Sequence, residues 1–397
     1  MPVAQISAAT NLLSSAAMDD PVIRDPARFP RTVAVFEQGR GEGLHLGAQV
    51  FASVAGTPVL DLALGEARTG QPMTRDALLI WLSSTKPVAA AALGQLWQRG
   101  LLELDDPIAR HIPEFAERGK EGITLRHALT HTGGFRMLNV GWPEESWEGI
   151  LRRICQARPE PRWVPGRRAG YHLESSWFVL GEVVRRVDGR PFERYVRDEI
   201  FEPLGMDDCW IGMPVERYRA YGERIAPMLN TDPTVLAEDA SGRPRTHLWT
   251  REDRLTRCHP GGNGCGPMHQ LARFYELLLQ RGAGLLSAQT VEALTCPHRV
   301  GMYDHTFKHV MDWGLGFIIN SEHYGIPTVP YGYGGHASPR TFGHSGRLSS
   351  TAFGDPEHGL AVALAFNGTP DDDRHRARMR AVTEAIYEDL GLVAASS

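Results

Sequence analysis

A serine and a lysine stand three residues apart in Ser83-Ser84-Thr85-Lys86, where an apolar run passes into a helical pattern. Three-residue spacing at a helix start brings both side chains to one face, so the hydroxyl and the amine lie within hydrogen-bonding reach. An alcohol is a weak nucleophile and needs a base beside it. A lysine, whose usual pKa is about 10.4, serves as that base near neutral pH only when burial or a neighbouring cation lowers its pKa to about 7. The pair alone fits either a nucleophilic Ser83 activated by Lys86 or an exposed serine at a helix start followed by a solvated lysine.

Lysine is scarce in this chain, which makes the pairing informative. Of the 42 basic residues only Lys86, Lys120 and Lys308 are lysines. Arginine stays protonated, so few other side chains offer an amine that burial can neutralise. Glu117 and His305, not serines, stand three residues before the other two lysines. We interpret those two lysines as solvated surface charges.

Composition and charge exclude several classes of protein. The formal net charge is −5, from 42 basic and 47 acidic residues interspersed along the 397-residue chain, so no basic stripe suits a nucleic acid. No segment approaches the roughly 20 apolar residues of a membrane span, and the first 20 residues do not resemble a secretory signal. Five cysteines without a C-x-x-C pair predict reduced thiols. The predicted location is the cytoplasm, with no nucleic-acid or membrane partner.

Beta-strand patterns at both ends of the chain flank a mainly helical middle. The stretches 46–56 and 57–67 predict an antiparallel hairpin, a helix is predicted from near Ser84 to Gly100, and strand patterns return at 313–320, 341–355 and 358–368. A final helix is expected at about 371–391. The predicted fold class is therefore α/β (α+β), an antiparallel sheet flanked by helices with an inserted, mainly helical lobe. The expected division is a lead-in at 1–30, an α/β lobe at 31–100 and 301–397, and a helical lobe at 101–300.

A series of motifs in a consistent order resembles the serine β-lactamase and penicillin-binding-protein superfamily, especially its class C-like branch of esterases, peptidases and acyltransferases. The resemblance spans roughly residues 33 to 390. It rests on SSTKP (83–87), GLLELDDPI (100–108), ITLRHALTHTGGF (123–135), PGRRAGYHLESSWFVLGEVV (165–184), FEPLGMDD (201–208), PGGNGCGPMHQLARF (260–274) and GHSG (343–346). It implies a β-lactamase-like fold and an acyl-enzyme mechanism. It also implies that the glycine-rich loop at 260–266 lies near the cleft.

The resemblance implies a role for three side chains. Ser83 is the expected nucleophile, Lys86 its proton acceptor and Tyr171 the second acid/base. A tyrosine beside a lysine can share the proton that moves between nucleophile and leaving group. The family commonly has Tyr-Ser-Asn at this position, whereas this chain has Tyr171-His172-Leu173. Leu173 at the third position therefore offers no side-chain amide to the substrate.

The triplet His344-Ser345-Gly346 stands where β-lactamases have Lys-Thr-Gly. On a strand at the edge of the cleft, the backbone just after it, at Arg347, is expected to donate an oxyanion hydrogen bond beside that of Ser83. A histidine is neutral or only partly charged near pH 7, so it suits a penicillin carboxylate less well than a lysine. The replacement favours an esterase or acyltransferase. Arg347 also replaces the last glycine of a G-x-S-x-G elbow, which argues against an α/β-hydrolase.

Two long loops, 135–147 and 320–340, are rich in aromatic residues but have neither helix nor strand periodicity. Long loops of this kind are often functional. We expect them, and Trp142 in particular, to line an acyl or acceptor pocket.

We interpret the histidine pairs and the acidic run near the end of the chain as structural features and not as metal sites. His127 and His131 are four residues apart, as are His305 and His309, but no third ligand or HExxH pattern accompanies either pair. The acidic run 371–373 is interpreted as a helix cap. The sequence predicts no metal and no cofactor.

The sequence therefore predicts a serine esterase or acyltransferase that takes an acyl group from a small-molecule ester or amide and passes it to water or to an amine or alcohol. Transacylation in natural-product biosynthesis is one form of this reaction. A β-lactamase or D-stereospecific amidase or peptidase, and a non-catalytic binding or sensor protein, are the alternatives. The identities of donor and acceptor and the oligomeric state stay open.

Overall fold

Strands from both ends of the chain form one sheet in the computed structural model, which describes residues 20–234, 245–326 and 332–393. The strands are β1 (Gly47–Val54), β2 (Thr57–Arg68), β3 (Gln71–Pro72), β4 (Leu79–Leu82), β5 (Trp210–Ile211), β6 (Leu229–Asn230), β7 (Gly264–Gly266), β8 (Arg299–Asp304), β9 (His309–Trp313), β10 (Ile318–Ile319), β11 (Phe342–Ser345), β12 (Ser350–Asp355), β13 (Leu360–Phe366) and β14 (Gly368–Thr369). Nine of them pair antiparallel in the order β3-β2-β1-β13-β12-β11-β10-β9-β8. The expected antiparallel sheet shared by the two chain ends is confirmed.

Helices cover the sheet and fill the middle of the chain. They are α1 (Pro30–Gly41), α2 (Lys86–Gln98), α3 (Ile108–His111), α4 (Leu125–Leu129), α5 (Trp147–Gln156), α6 (Ser175–Asp188), α7 (Phe192–Val196), α8 (Val215–Tyr221), α9 (Glu252–Leu255), α10 (Met268–Leu279), α11 (Ala288–Thr295) and α12 (Asp372–Asp389). None of the helices in the described ranges is long and apolar enough to cross a membrane.

The central strand β13 shows how the layers are built. Its sequence alternates large and small apolar residues, and all of it is buried. The large residues join a core with α1 and α12, whereas the intervening alanines join the core that contains α10. Side chains alternate between the faces of a strand, so the small alanines let α10 lie close to the sheet. The result is a helix–sheet–helix arrangement.

The predicted hairpin joins β1 to β2, with Val54 paired to Thr57. Its two turn residues, Ala55 and Gly56, have φ values of 49° and 79°. Positive φ at both positions is typical of the tight turn that matches the twist of two antiparallel strands.

The segment between β4 and β8 carries most of the helices and the small sheet β4-β7-β5. One hydrophobic cluster extends from the large sheet into these helices, so both regions share a core. The two-lobe boundaries stay a prediction. Residues 1–19 of the expected lead-in lie outside the described residues, and Pro21–Arg24 and Pro26–Arg28 form short 3₁₀ helices.

The interpretation of Lys120 as a solvated surface charge is wrong. Its side chain is buried, and Nζ donates to the carbonyl oxygens of Glu117, Cys155 and Ala157 at 2.8, 2.7 and 2.6 Å. Two of these carbonyls belong to the C-terminal end of α5, where backbone acceptors lack helical partners and attract a cation. Lys120 therefore supplies hydrogen-bond donors to the carbonyl groups at the C-terminal end of α5.

Candidate active site

Ser83 begins a turn between β4 and α2. Residues Ser83–Thr85 form a single 3₁₀ turn before the α-helix, and Leu82 immediately before it has a φ of 50°. A positive φ is unfavourable for leucine, and such backbone strain persists where the surroundings hold it. Thr85 supplies part of this support, because its Oγ1 donates to the Leu82 carbonyl at 2.6 Å and accepts from Gly264 N at 2.9 Å. The turn places the Ser83 hydroxyl at the start of a helix.

The structure brings the three expected catalytic side chains together. Lys86 Nζ lies 3.0 Å from Ser83 Oγ, and the Tyr171 hydroxyl donates to the same Oγ at 2.8 Å. Lys86 Nζ also donates to the Gly261 carbonyl at 2.8 Å. The glycine-rich loop expected near the cleft therefore contacts the lysine through its backbone.

Lys86 is buried among aromatic rings. Its side chain is 1% exposed, and Nζ lies 5.0 Å from the Tyr171 ring centre and 5.5 Å from that of Trp177. Burial lowers the pKa of Lys86 from 10.5 to about 7, while the nearby Glu174 carboxylate opposes this change. A large fraction of Lys86 is therefore the neutral amine at neutral pH, which is the form that can accept a proton.

The buried His131 binds the segment that carries Tyr171 and the equally buried His172. Gly170 N donates to the His131 carbonyl at 2.9 Å, and His172 N donates to His131 Nδ1 at 3.0 Å. The rings of His131 and Tyr171 lie 4.7 Å apart. Burial lowers the pKa of His131 well below its usual value and that of His172 to about 3, so both rings are neutral. Sequence reasoning weighed His131 only as a metal ligand and missed this contact, although it lies in the THTGG stretch of the family resemblance.

Hydroxyl groups join the predicted oxyanion strand β11 to the Ser83 turn, and its neighbour β12 to the end of β4. Ser84 Oγ donates to the His344 carbonyl at 2.9 Å, and Ser350 Oγ donates to the Trp81 carbonyl at 2.6 Å. A Cβ at Gly346 would collide with the Trp81 carbonyl and the Ser350 hydroxyl, which explains why a glycine stands there. This close approach brings Ser345 and Arg347 to the same cleft as Ser83.

His344 also lines the cleft, but its ring is largely buried. The side chain is 1% exposed, and Nδ1 lies 2.9 Å from the Ser345 carbonyl. Because a carbonyl only accepts, Nδ1 carries the proton. Burial, followed by the charge of Lys86, lowers the pKa of His344 to about 3. The imidazole is therefore neutral near pH 7, and it offers no cation where β-lactamases have a lysine.

The cleft at Ser83 has a volume of about 360 Å³. Its wall includes apolar side chains from Leu173, Phe307 and Ile318 and charged ones from Arg347, Asp372 and Arg376. Leu173 is 55% exposed, so the position at which the family commonly has an amide offers an apolar surface to a ligand. Sequence reasoning missed Thr306, Phe307 and His309, which also line this cleft, because no local pattern marks their segment.

The structure does not place Trp142 at the Ser83 cleft. Trp142 lines a separate cavity of about 440 Å³, and its ring packs against His259, with 4.9 Å between ring centres, and against the Arg254 guanidinium, 5.3 Å away. Among the described residues of loops 135–147 and 320–340, none lines the Ser83 cleft. Tyr333, for example, is buried against Phe353 in the sheet core. Residues 327–331 lie outside the described residues.

Comparisons with known proteins agree with this geometry. The family model described as Beta-lactamase matches residues 33–385. The esterase/beta-lactamase LipL of Mycobacterium tuberculosis is 27% identical over 368 residues, which cover 86% of this chain and 82% of that protein. A penicillin-binding protein homologue from Caulobacter crescentus superimposes with a TM-score of 0.73 at 29% identity, covering 92% of this chain and 98% of that one. A family VIII carboxylesterase gives a TM-score of 0.74 at 27% identity with the same coverage. The predicted fold class is confirmed.

Proposed function

The chain belongs to the β-lactamase family, and we propose that it is a serine hydrolase or acyltransferase that forms an acyl-Ser83 intermediate from a small-molecule ester or amide. One observation carries the proposal. The Ser83 hydroxyl oxygen hydrogen-bonds to both Lys86 Nζ and the Tyr171 hydroxyl, at 3.0 and 2.8 Å. Lys86 and Tyr171 are buried, and the half-buried Ser83 lines a ligand-sized cleft together with Tyr171.

Acylation begins with the neutral Lys86 amine. Its lone pair takes the proton of the Ser83 hydroxyl while Oγ bonds to the carbonyl carbon of the substrate, giving a tetrahedral oxyanion. When this intermediate collapses, the bond to the leaving alcohol or amine breaks. The leaving group takes a proton from the Tyr171 hydroxyl, which regains one from Lys86. The enzyme is left as the acyl-Ser83 ester with Lys86 neutral.

Backbone amides stabilise the oxyanion in this proposal. The amide of Ser83 belongs to the first turn of a helix, where N–H groups have no intrahelical acceptor. Arg347 lies two residues after the end of β11, and the intervening Gly346 packs against Trp81 and Leu82, which directly precede Ser83. Two donors aimed at the developing charge are the arrangement that acyl transfer requires.

The second half of the reaction returns Ser83 to its free form. Water, or an amine or alcohol, attacks the acyl carbon as Tyr171 and Lys86 remove its proton, and Ser83 Oγ leaves with a proton from the same pair. Hydrolysis and transacylation differ only in this acceptor. Product mass with and without an added amine distinguishes the two, because transfer consumes donor faster with amine and yields an amide.

The β-lactamase and amidase alternative has one observation in its favour. Although His344 is neutral, Arg347 and Arg376 line the cleft and provide cations that attract a substrate carboxylate. Turnover of nitrocefin that disappears in Ser83→Ala would support this alternative. A stable acyl adduct without turnover would support the non-catalytic sensor instead.

A fluorophosphonate probe and a panel of p-nitrophenyl esters test the proposal directly. We expect the probe to label Ser83, and Ser83→Ala to lose both labelling and ester turnover. Ser287→Ala is the matched control, since Ser287 caps α11 through a 3.0 Å bond to Thr290 N and lines none of the cleft. Unchanged turnover in Ser83→Ala would falsify the covalent mechanism.

A further inference from the structure

Asp304 is a fully buried carboxylate at the end of β8 that takes no part in the proton transfers above. Its Oδ1 accepts three backbone N–H groups, from Tyr171 at 3.1 Å, Thr306 at 2.9 Å and Phe307 at 3.0 Å. The last two bonds are those of an ordinary turn that begins with aspartate. The bond to Tyr171 is not local, because that residue is 133 positions away in the chain.

The second oxygen of Asp304 has a buried cation as its partner. Arg299, which is 2% exposed, donates to Oδ2 at 2.9 Å and to the Thr130 carbonyl at 3.2 Å. Thr130 directly precedes His131, whose backbone and ring bind the other side of the Tyr171 segment. A buried carboxylate is costly to desolvate unless it is paired and hydrogen-bonded, and here both conditions are met.

The turn that follows Asp304 also binds Tyr171. Thr306 Oγ1 donates to the Tyr171 carbonyl at 3.0 Å, and the rings of Phe307 and Tyr171 lie 4.7 Å apart. Thr306 and Phe307 both line the Ser83 cleft. One carboxylate therefore holds the backbone of the acid/base tyrosine and one wall of the cleft in a single arrangement.

We propose that Asp304 is a positioning residue that acts through Tyr171. By accepting the Tyr171 amide while it anchors the 304–307 turn, Asp304 keeps the phenol hydroxyl at hydrogen-bonding distance from Ser83. The inference rests on the proposed function, since it requires Tyr171 to take part in turnover. Asp304 itself touches neither substrate nor a transferred proton.

The test is a double-mutant cycle of Asp304→Asn with Tyr171→Phe, read by kcat and KM for a p-nitrophenyl ester. Asparagine keeps one oxygen for the three backbone amides but turns an NH₂ group toward the Arg299 guanidinium. Because two donors then face each other, the 304–307 turn and the Tyr171 backbone bound to it must shift. We expect kcat in Asp304→Asn to fall by about tenfold or more, and the double variant to be no slower than Tyr171→Phe alone, because residues that act through one another are non-additive.

Asp355→Asn is the matched control. Asp355 is equally buried at the end of a strand and accepts from Ser338 N at 2.9 Å and the Tyr387 hydroxyl at 2.8 Å, away from the cleft. We expect Asp355→Asn to lower the stability of the protein but to leave kcat unchanged, both in the wild type and in Tyr171→Phe. Thr306→Val keeps Asp304 and removes the bond to the Tyr171 carbonyl, together with the 2.8 Å bond that Thr306 Oγ1 accepts from Arg136. It repeats the cycle with a smaller change and decides the question if Asp304→Asn does not fold.

Each outcome has a separate meaning. Suppose that Tyr171→Phe is slow and that Asp304→Asn or Thr306→Val lowers kcat by the same factor with or without Tyr171. This result overturns the positioning role and leaves the proposed function standing. Wild-type turnover in Tyr171→Phe overturns the role of the tyrosine and this inference together. A loss in Asp304→Asn that is confined to the melting temperature, as in Asp355→Asn, also contradicts the inference.

Discussion

Replacing Lys86 by methionine should stabilise the protein at neutral pH while it abolishes turnover. Burial lowers the pKa of Lys86 from 10.5 to about 7. Folding at pH 7 must therefore either bury the charged ammonium group or remove its proton. The lowered pKa corresponds to a cost of about 5 kcal/mol. Methionine has a similar shape and removes this cost, but it loses the hydrogen bonds of Nζ to the Gly261 carbonyl and the Ser83 hydroxyl, which costs about 2 kcal/mol. The expected net gain is about 3 kcal/mol.

The dependence of this gain on pH identifies its cause. A lysine with a lowered folded-state pKa destabilises most below that pKa, and the cost disappears as the pH rises to the unfolded value of 10.5. Between pH 7 and pH 10 the advantage of Lys86→Met should therefore fall by about 3 to 4 kcal/mol. Near pH 10 the variant becomes the less stable of the two proteins, because only the lost hydrogen bonds remain.

Urea unfolding of both proteins at pH 7, 8.5 and 10 measures this crossover. The control is Lys120→Met, which removes a second buried lysine but leaves three carbonyl oxygens without their donor. It is expected to destabilise the protein at pH 7 and to keep ester turnover. A Lys86→Met variant that is less stable at pH 7, or whose gain is the same at all three pH values, refutes the neutral-amine reasoning.

The remaining predictions concern activity. In the wild type, kcat/KM should rise with pH around an apparent pKa near 7, because only unprotonated Lys86 accepts the proton of Ser83; a flat profile from pH 5.5 to 8.5 argues against this role. Tyr171→Phe should slow deacylation by about 100-fold, so that acyl-Ser83 accumulates in intact-mass spectra. Arg347→Ala should raise KM about tenfold for esters that carry a carboxylate and leave KM for neutral esters unchanged, because the guanidinium in the cleft attracts only the charged ester. Arg152→Ala, at an exposed arginine, is the control for this variant. Equal changes in KM for both ester types contradict a contact between Arg347 and the substrate carboxylate.

Local patterns made part of the site predictable. Ser83 and Lys86 face each other because helix geometry alone brings positions three apart together. Loop 135–147 has no regular spacing that fixes which side chains face each other. Its Trp142 packs against His259, a neighbour that no local rule identifies. The error at Lys120 has the same origin, because its carbonyl partners include two that lie 35 and 37 residues further along the chain.

The sequence by itself determined the sheet-forming ends, the contact between Ser83 and Lys86 and the histidine at position 344, because strand alternation, helix spacing and residue type act over a few positions. Only the tertiary structure decided that burial lowers the pKa of Lys86 to about 7, that Asp304 binds the Tyr171 backbone and that Trp142 lies in another cavity. Desolvation and hydrogen bonding in a core depend on which distant segments pack together, and spacing along the chain does not encode those distances.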